Sequence, residues 1–499
     1  MREAQASPEM VFGVLGVLLL CVFPMSVHDY SSITRFKYQQ MLLLTGVSLL
    51  STAVFWRSWK DSFEWRHLPR CLCAAYAVWV ILSSFLGSYA SMPGDSGLPL
   101  VFTGAIRYEG LITQLCYVLL FMVFSLSRPH KGMVLGACAI AVMVYAALTL
   151  CQYAGYNVLE LFPRGRSIRT NYEFQGTIGN IDMVSGYLIL MIPLLMISYV
   201  LGMGGGLVLV SSLLGVLLET MMEVQSGLLA LVVLCCVLVS LALLSRRVRT
   251  RAGMALAGIC LCFALRRAIA LPWLDGTEEI RAVWRWDILL WLAGACFSWR
   301  AGRYLQKKTT RTMRPGQVLL LWTVLAVIAV LAVWLIPVSP ESGAVWEAHE
   351  ILNGHSSDSF GSWRWGVWRC MLASADGHLL MGTGPDMFYY AMRDYLAKTG
   401  TVLGETFDNP HNLYLAILSG SGLPALVIYL ALLVCIMVRA FRQEDAFQRA
   451  LGISVLLYSI QGFFSFSICL VSPMAWTVFG MACAGKGKDR EVQIHDLCE

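Results

Sequence analysis

Gly227-Leu-Leu-Ala-Leu-Val-Val-Leu-Cys-Cys-Val-Leu-Val-Ser-Leu-Ala-Leu-Leu-Ser245 holds no charge, and it runs straight into Arg246-Arg-Val-Arg-Thr-Arg251. About 20 apolar residues in a helix cross the hydrocarbon of a bilayer. A basic cluster at one end marks the side on which that end is retained. The pattern recurs along the chain. Candidate spans fall at roughly 9–27, 41–56, 71–88, 110–127, 132–152, 183–201, 205–219, 227–245, 252–271, 284–299, 317–337, 412–438, 450–469 and 473–485. The ninth is interrupted by Arg266 and Arg267, the last is short, and the seventh reads equally as a broken or re-entrant segment. The sequence therefore predicts an all-α fold, a polytopic bundle of about 12–14 transmembrane helices.

Composition agrees. Hydrophobic residues make up 58% of the 499 and charged residues 14%, against roughly 45–50% and about 25% in soluble proteins. A single water-soluble domain cannot bury so much apolar surface, and disorder and a disulfide scaffold are excluded as well. Most of the 16 cysteines lie in apolar runs, Cys71, Cys73, Cys235 and Cys236 among them, where a thiol is a small hydrophobe. The first span is preceded only by Arg2 and lacks a convincing small-residue cleavage site, so it reads as a retained anchor.

With the N-terminus inside, 23 of the 37 Lys and Arg residues fall on cytoplasmic segments and 14 on outer ones, although the outer segments are longer. Both termini then come out cytoplasmic. The basic runs at 246–251 and 300–314 read as connections of this kind rather than as nucleic-acid contacts. One outer loop, 338–411, is long enough to expect function of it and has helical patterning of its own. Residues 89–109 and 153–182 are secondary candidates.

Several outer basic residues sit in apolar settings. In Ser362-Trp-Arg-Trp-Gly-Val-Trp-Arg-Cys-Met-Leu-Ala, helical spacing places Arg364, Trp368, Met371, Leu372 and Ala375 on one face. A guanidinium on an apolar stripe must snorkel, pair with a carboxylate or meet an anionic ligand. Arginine suits bidentate phosphate recognition. Arg107, in Gly104-Ala-Ile-Arg-Tyr-Glu-Gly110, and Arg164, Arg166 and Arg169 are further candidates for a lipid phosphate or diphosphate. In Phe407-Asp-Asn-Pro-His-Asn-Leu-Tyr-Leu415, His411 is either a cap or packing residue or a general base near neutral pH. Asp408 and Asn409 either cap the helix that Leu413 begins or join the chemistry. Gly382-Thr-Gly384-Pro385 reads as a tight turn without the Lys of a phosphate loop. No metal-ligand spacing and no nucleotide motif is present.

Arg364-x-x-x-Trp368, Leu379-Leu-Met-Gly-Thr-Gly-Pro385-Asp-Met-Phe388 and His411-Asn-Leu-Tyr-Leu415 with Gly422-Leu423, taken in that order, resemble the O-antigen ligase / O-antigen polymerase superfamily of bacterial membrane proteins. Gly176-Thr-Ile-Gly-Asn180 with Gly186-Tyr187, and Gln225-Ser226-Gly227, are weaker matches upstream, so the resemblance covers roughly 165–430. His378-Leu-Leu-Met stands where His-Pro-Leu-Leu is common, and the Ser-x-Gly element lacks the family's arginine. On this resemblance the chain divides into N-terminal transmembrane helices (1–164), a membrane catalytic region with the outer loop 338–411 (165–440), and C-terminal helices with a cytoplasmic tail (441–499).

The resemblance implies a metal-independent membrane glycosyltransferase without a cofactor, in the bacterial cytoplasmic membrane. It would move a glycan from a polyprenyl diphosphate carrier to a hydroxyl of a glycan, lipid or protein acceptor, on the outer face. His411 would be the base. Arg364, Arg169, Arg166 and Arg107 would hold the diphosphate, with Trp368, Asn412, Asp408 and Gly384 in support. Membrane lipids are the other partners, and nucleic acid is not one. A lipid-linked oligosaccharide flippase or other multi-pass transporter is the competing reading, although the mid-span regions are nearly free of charge. In a polymerase of the peptidoglycan type, Glu405 or Asp408 would be the base.

Overall fold

The computed structural model describes residues 7–28, 32–59, 67–94, 97–161, 175–270, 286–375, 377–404 and 407–484. They are helical throughout, and the only β pairing among them is an isolated bridge between Pro93 and Pro99. Every segment expected to span carries a helix: α1 Pro8–Met25, α2 Ile33–Val54, α3 Leu68–Leu86, α4 Leu111–Leu126, α5 Lys131–Tyr153, α6 Ile181–Val200, α7 Gly206–Met222, α8 Gln225–Leu244, α9 Arg249–Ala270, α10 Trp286–Lys308, α11 Pro315–Leu335, then α15 Leu413–Arg442, α16 Ala446–Gln461 and α17 Ser472–Cys483. Among the described residues, eight helices are long and apolar enough to cross a membrane; α4 and α7 are apolar but shorter. The long loop contributes α12 Ala344–Leu352, α13 Arg364–Ser374 and α14 Phe388–Thr399.

The helix α6 is apolar on every side and wholly buried, as expected of the centre of a bundle. It packs against α5, α7, α8 and α16. Helices from the two ends of the chain pack together: α17 on α4, and α3 on α15. At the other extreme, only 6% of the apolar window of α11 is buried within the protein. Its Trp322 indole donates to Ser240 Oγ of α8 at 2.8 Å, and most of its remaining surface is left for lipid.

Several boundaries differ from expectation for local reasons. The helix at the second expected span starts at Ile33, and Lys37 on it turns inward: its ammonium takes the carbonyls of Phe23 and Pro24 at the end of α1. The ninth is not interrupted, since Arg266 and Arg267 in the last turn of α9 pair with Glu223 and Asp287. The seventh is a continuous helix whose end at Glu223 turns left-handed (φ 57°) into α8. Glu219, buried in that helix, accepts from Ser185 Oγ at 2.7 Å.

The connections sort onto two faces. On one, His130 N–H donates to Glu9 O, Lys131 pairs with Asp445, and Arg249 crosses the connection ahead of α11 to reach the carbonyls of Leu305, Thr309 and Arg311. At the other end of the helices, Tyr89 N–H donates to Thr383 O, Asp386 accepts from the N–H groups of Ile106 and Arg107, and Ser467 donates to Glu109.

The break in α15 explains the Gly-Thr-Gly turn. Gly422 sits at φ 80°, ψ 175° and Pro424 follows. In an unbroken helix the Gly420 carbonyl would accept from residue 424, but proline has no N–H. Gly384 N–H takes that carbonyl at 2.9 Å. Ser419 O, which would accept from Leu423, receives Thr383 N–H at 2.8 Å instead, while Leu423 N–H goes to Leu379 O at 2.7 Å. Residues 379–384 thus stitch the broken helix shut, which backbone at membrane depth requires. Gly382 and Gly422 permit the approach, since a Cβ on either would meet opposing backbone at 2.5 and 2.1 Å.

Candidate functional site

Trp363 in the left-handed region (φ 68°) turns the chain so that Arg364 is the first residue of α13. Residues four apart share a helix face, so Trp368 lies one turn on from Arg364. The Trp368 indole N–H donates to Pro410 O at 2.7 Å, which clamps α13 against the turn carrying His411. This is a physical meaning for the Arg-x-x-x-Trp spacing. The buried side of α13 is not the one expected: Gly366, Val367, Cys370 and Met371 are buried against Phe388, Met392 and Leu403, whereas Leu372 is 54% exposed. Arg364 therefore lies beside the apolar stripe, not on it.

The Arg364 guanidinium donates from Nη1 to Gly361 O at 3.3 Å, and its Nε is buried without a partner. Among the described residues no carboxylate forms an ion pair with it.

His411 occupies the left-handed region (φ 47°), held by its backbone N–H on Asn409 Oδ1 at 2.8 Å. Its ring stands edge-on to Phe466 and Phe407, with centroids 5.1 and 6.4 Å away. Nδ1 is buried with no hydrogen-bond partner. Burial, then the charges of Arg364 and Arg107, push the imidazole down to about 4 against the opposing pull of Asp408. At neutral pH it is uncharged and free to accept a proton.

Neither His411, Asp408 nor Asn409 caps α15. Asn412 does, accepting from the N–H groups of Tyr414 and Leu415 at 3.0 and 3.1 Å. Asp408 instead takes both prongs of Arg107, at 2.6 and 2.8 Å. Burial would raise its carboxyl, but Arg107 holds it below its usual value, so it stays ionised. The Arg107 guanidinium also lies over Phe466, 4.2 Å from the ring centroid. Arg164, Arg166 and Arg169, and Glu405, lie outside the described residues.

Asp386, just past the Gly384-Pro385 turn, was not singled out in the sequence. It orders the loop that carries Arg107 by accepting from the N–H groups of Ile106, Arg107 and Glu109 at 3.2, 3.0 and 3.4 Å. Asp182, in the first turn of α6 behind its Asn180 cap, also lies within electrostatic reach of Arg364 and Arg107. The weaker upstream motif thus supplies a helix start that points toward the same cluster. Gln225-Ser226-Gly227 stands apart from it, Gly227 abutting Glu219 and Ser185. Among the described residues no three His, Cys, Asp or Glu side chains are grouped to hold a metal ion.

A cavity opens beside this cluster, with Arg107, Asp386, Pro410 and Phe466 in its wall. What gathers here is an imidazole in its base form, an arginine with unspent donors and a second arginine locked in place, all on the face of the long loop. No curated protein matches the chain. Residues 286–430 match the family model described as O-antigen ligase, a stretch that includes Arg364, Trp368, the Gly-Thr-Gly turn and His411 but begins after the elements at 176–187 and 225–227. The chain is a multi-pass membrane protein whose residues 286–430 are similar to the O-antigen ligase family.

Proposed function

We propose that the protein transfers a glycan from a polyprenyl diphosphate carrier to an acceptor hydroxyl, at the outer face of the bacterial cytoplasmic membrane, with both termini in the cytoplasm. The observation that carries the reading is the meeting of Arg364 and His411, each with a buried nitrogen lacking a partner, within the stretch similar to the O-antigen ligase family. The acceptor oxygen attacks the anomeric carbon as its proton passes to His411. The bond from that carbon to the diphosphate oxygen breaks, and the negative charge that develops on the leaving group is met by Arg364. Hydrogen-bond donors aimed at developing charge in a water-poor site supply more of the rate enhancement of many enzymes than any other effect, and general-base help is typically worth about 10²–10⁴-fold. Arg107 keeps Asp408 on two of its nitrogens, leaving Nη1 for a phosphoryl oxygen. The bound diphosphate offsets the two arginine charges and raises His411 toward the range in which a base works best.

Two features weigh against competing readings. Both carboxylate oxygens of Asp408 are taken by Arg107, so it is a poor candidate for the base. Broken helices in transporters coordinate ions through freed carbonyls. In α15 those carbonyls are taken by Thr383 and Gly384.

The test uses the purified full chain in liposomes with lipid-linked glycan. Wild type releases polyprenyl diphosphate in step with glycan transfer. If glycan crosses the bilayer unaltered and no diphosphate carrier is freed, the proposal is wrong.

A further inference from the structure

The cavity beside Arg107 runs inward between α3, α4, α15 and α17, and the chemistry assigned to Arg364 and His411 does not use its inner part. There Tyr76, Tyr429 and Trp476 form a box, with ring centroids 5.8 to 6.0 Å apart. Glu109, only 6% exposed, stands on the wall. Its carboxyl accepts from Tyr117 Oη at 2.5 Å, Ser467 Oγ at 2.9 Å and Gln114 Nε2 at 3.2 Å. The Tyr76 hydroxyl donates to Gln114 Oε1 at 3.3 Å. Ser421 and Asn409 add further polar atoms to the lining.

This combination selects among occupants. An alkyl chain would add nothing to the polar atoms of Gln114, Ser421, Asn409 and Ser467, which are bonded to Tyr76, Ser83, Asp408 and Glu109 within the protein. A phosphate in the inner cavity would find no cation among Tyr76, Tyr429, Trp476, Gln114 and Glu109. A neutral, polyhydroxylated ring has apolar C–H faces for the aromatic box and hydroxyls at its edges for the amides and carboxyl. The cavity also shares a wall with the reacting groups, because Phe466 lines it and carries both the Arg107 guanidinium and the edge-on His411 ring.

We infer that this cavity is a glycan subsite: it seats a sugar ring of a lipid-linked substrate on Tyr76, Tyr429 and Trp476, with Gln114 and Glu109 as its hydrogen-bonding partners. The identification of the occupant as substrate rests on the glycosyltransferase reading. Burial pushes the Glu109 carboxyl up to about 8, so at neutral pH it is protonated and offers a donor as well as an acceptor. The ring belongs either to the donor glycan or to the acceptor, and kinetics distinguishes the two.

The experiment compares wild type with Gln114→Met and, as a smaller change, Ser421→Ala, all as the full chain in detergent. The probe is the glycan freed by mild acid from the host's polyprenyl diphosphate pool, followed by saturation-transfer NMR. Wild type and His411→Ala are expected to saturate the glycan, and the two cavity variants to lose most of that signal. In the transfer assay each cavity variant raises KM about tenfold, the equivalent of one good hydrogen bond, with kcat within twofold. A rise for the donor alone assigns the ring to the donor, and a rise for the acceptor alone to the acceptor. Undiminished saturation in both folded variants, or unchanged KM values, overturns the subsite. If wild type binds free glycan but transfers none, the reaction assigned above fails while the subsite stands.

Discussion

Gly422→Ala attacks the stitch rather than the chemistry. The new Cβ would lie 2.1 Å from Leu380 O, 2.6 Å from Leu380 C and 2.9 Å from Leu379 O. All three are backbone atoms, so no rotamer change relieves the clash. The glycine's φ of 80° and ψ of 175° fall in a region essentially reserved for glycine, costing roughly 1–3 kcal/mol for any other residue. Pushing 379–384 away also strips partners from Ser419 O and Gly420 O, at about 1–1.5 kcal/mol for each hydrogen bond. Together these give a loss of about 3–6 kcal/mol. Activity is expected to fall with stability, because the displaced segment leads directly to Asp386, whose three backbone contacts hold the Arg107 loop. The assay is unfolding of the purified protein by titration from mild detergent into sodium dodecyl sulfate, with Gly136→Ala as the control. Gly136 has nothing within 4 Å of an added Cβ and lies inside α5, so alanine there should be neutral or stabilising by up to about 1 kcal/mol. If Gly422→Ala unfolds at the same point as Gly136→Ala, the stitched-helix argument is wrong.

Four further outcomes are expected. His411→Ala abolishes transfer, by at least about 10²-fold, in protein of normal abundance and insertion; product at the wild-type rate would remove the residue from the chemistry. Arg364→Lys keeps the charge and loses the fork, lowering kcat/KM by about 10- to 100-fold, and a fully active lysine variant would refute diphosphate recognition by the guanidinium. The base form of His411 is lost as pH falls, so kcat/KM should hold down to about pH 4 and drop below it. The corresponding limb in kcat lies at higher pH because bound diphosphate raises the imidazole, and coincident limbs near pH 6.5 would show that the arginine charges do not act on His411. An epitope inserted after Val402, on the surface of the long loop, should bind antibody in spheroplasts without permeabilisation; labelling only after lysis would reverse the orientation.

The helices were legible because each apolar run has the length of a span and polar ends. The errors fell where a charge has a private solution. Lys37 is a charge ahead of the expected second span, yet it serves the carbonyls of Phe23 and Pro24 at the end of α1. Arg266 and Arg267 looked like an interruption, yet both find carboxylates on neighbouring segments. Hydropathy counts charges but cannot see such pairings. The break in α15 could have been suspected from Gly422 and Pro424, but its repair by residues 379–384 is a long-range arrangement that no local pattern encodes.

The site was half legible, for a reason that bears on the chemistry. The residues proposed to act on a ligand carry a type-specific signal: an arginine in an apolar setting and a histidine at a helix start stand out from a sequence. Residues that hold those groups do not. Asp386 looks like any turn aspartate, and Phe466 like any membrane phenylalanine, yet one fixes the Arg107 loop and the other packs against both Arg107 and His411. Glu109 had a clue, being an acid next to a span start, but the arginine two residues before it took the attention. The same asymmetry argues that Arg107 and Arg364 are not interchangeable. One has its fork filled by Asp408 and its face on an aromatic ring, so it is a fixed wall of positive charge; the other keeps donors unspent. With two nitrogens on Asp408, Arg107 grips through Nη1 alone, and its charge still shapes the field at His411. Replacing Arg107 by Gln should therefore shift the acid limb of kcat/KM upward and disturb Asp408, whereas replacing Arg364 should weaken the hold on the leaving group. Equal losses from the two, with no difference in pH profile, would mean that the structure's distinction between a paired and an unpaired arginine has no functional meaning.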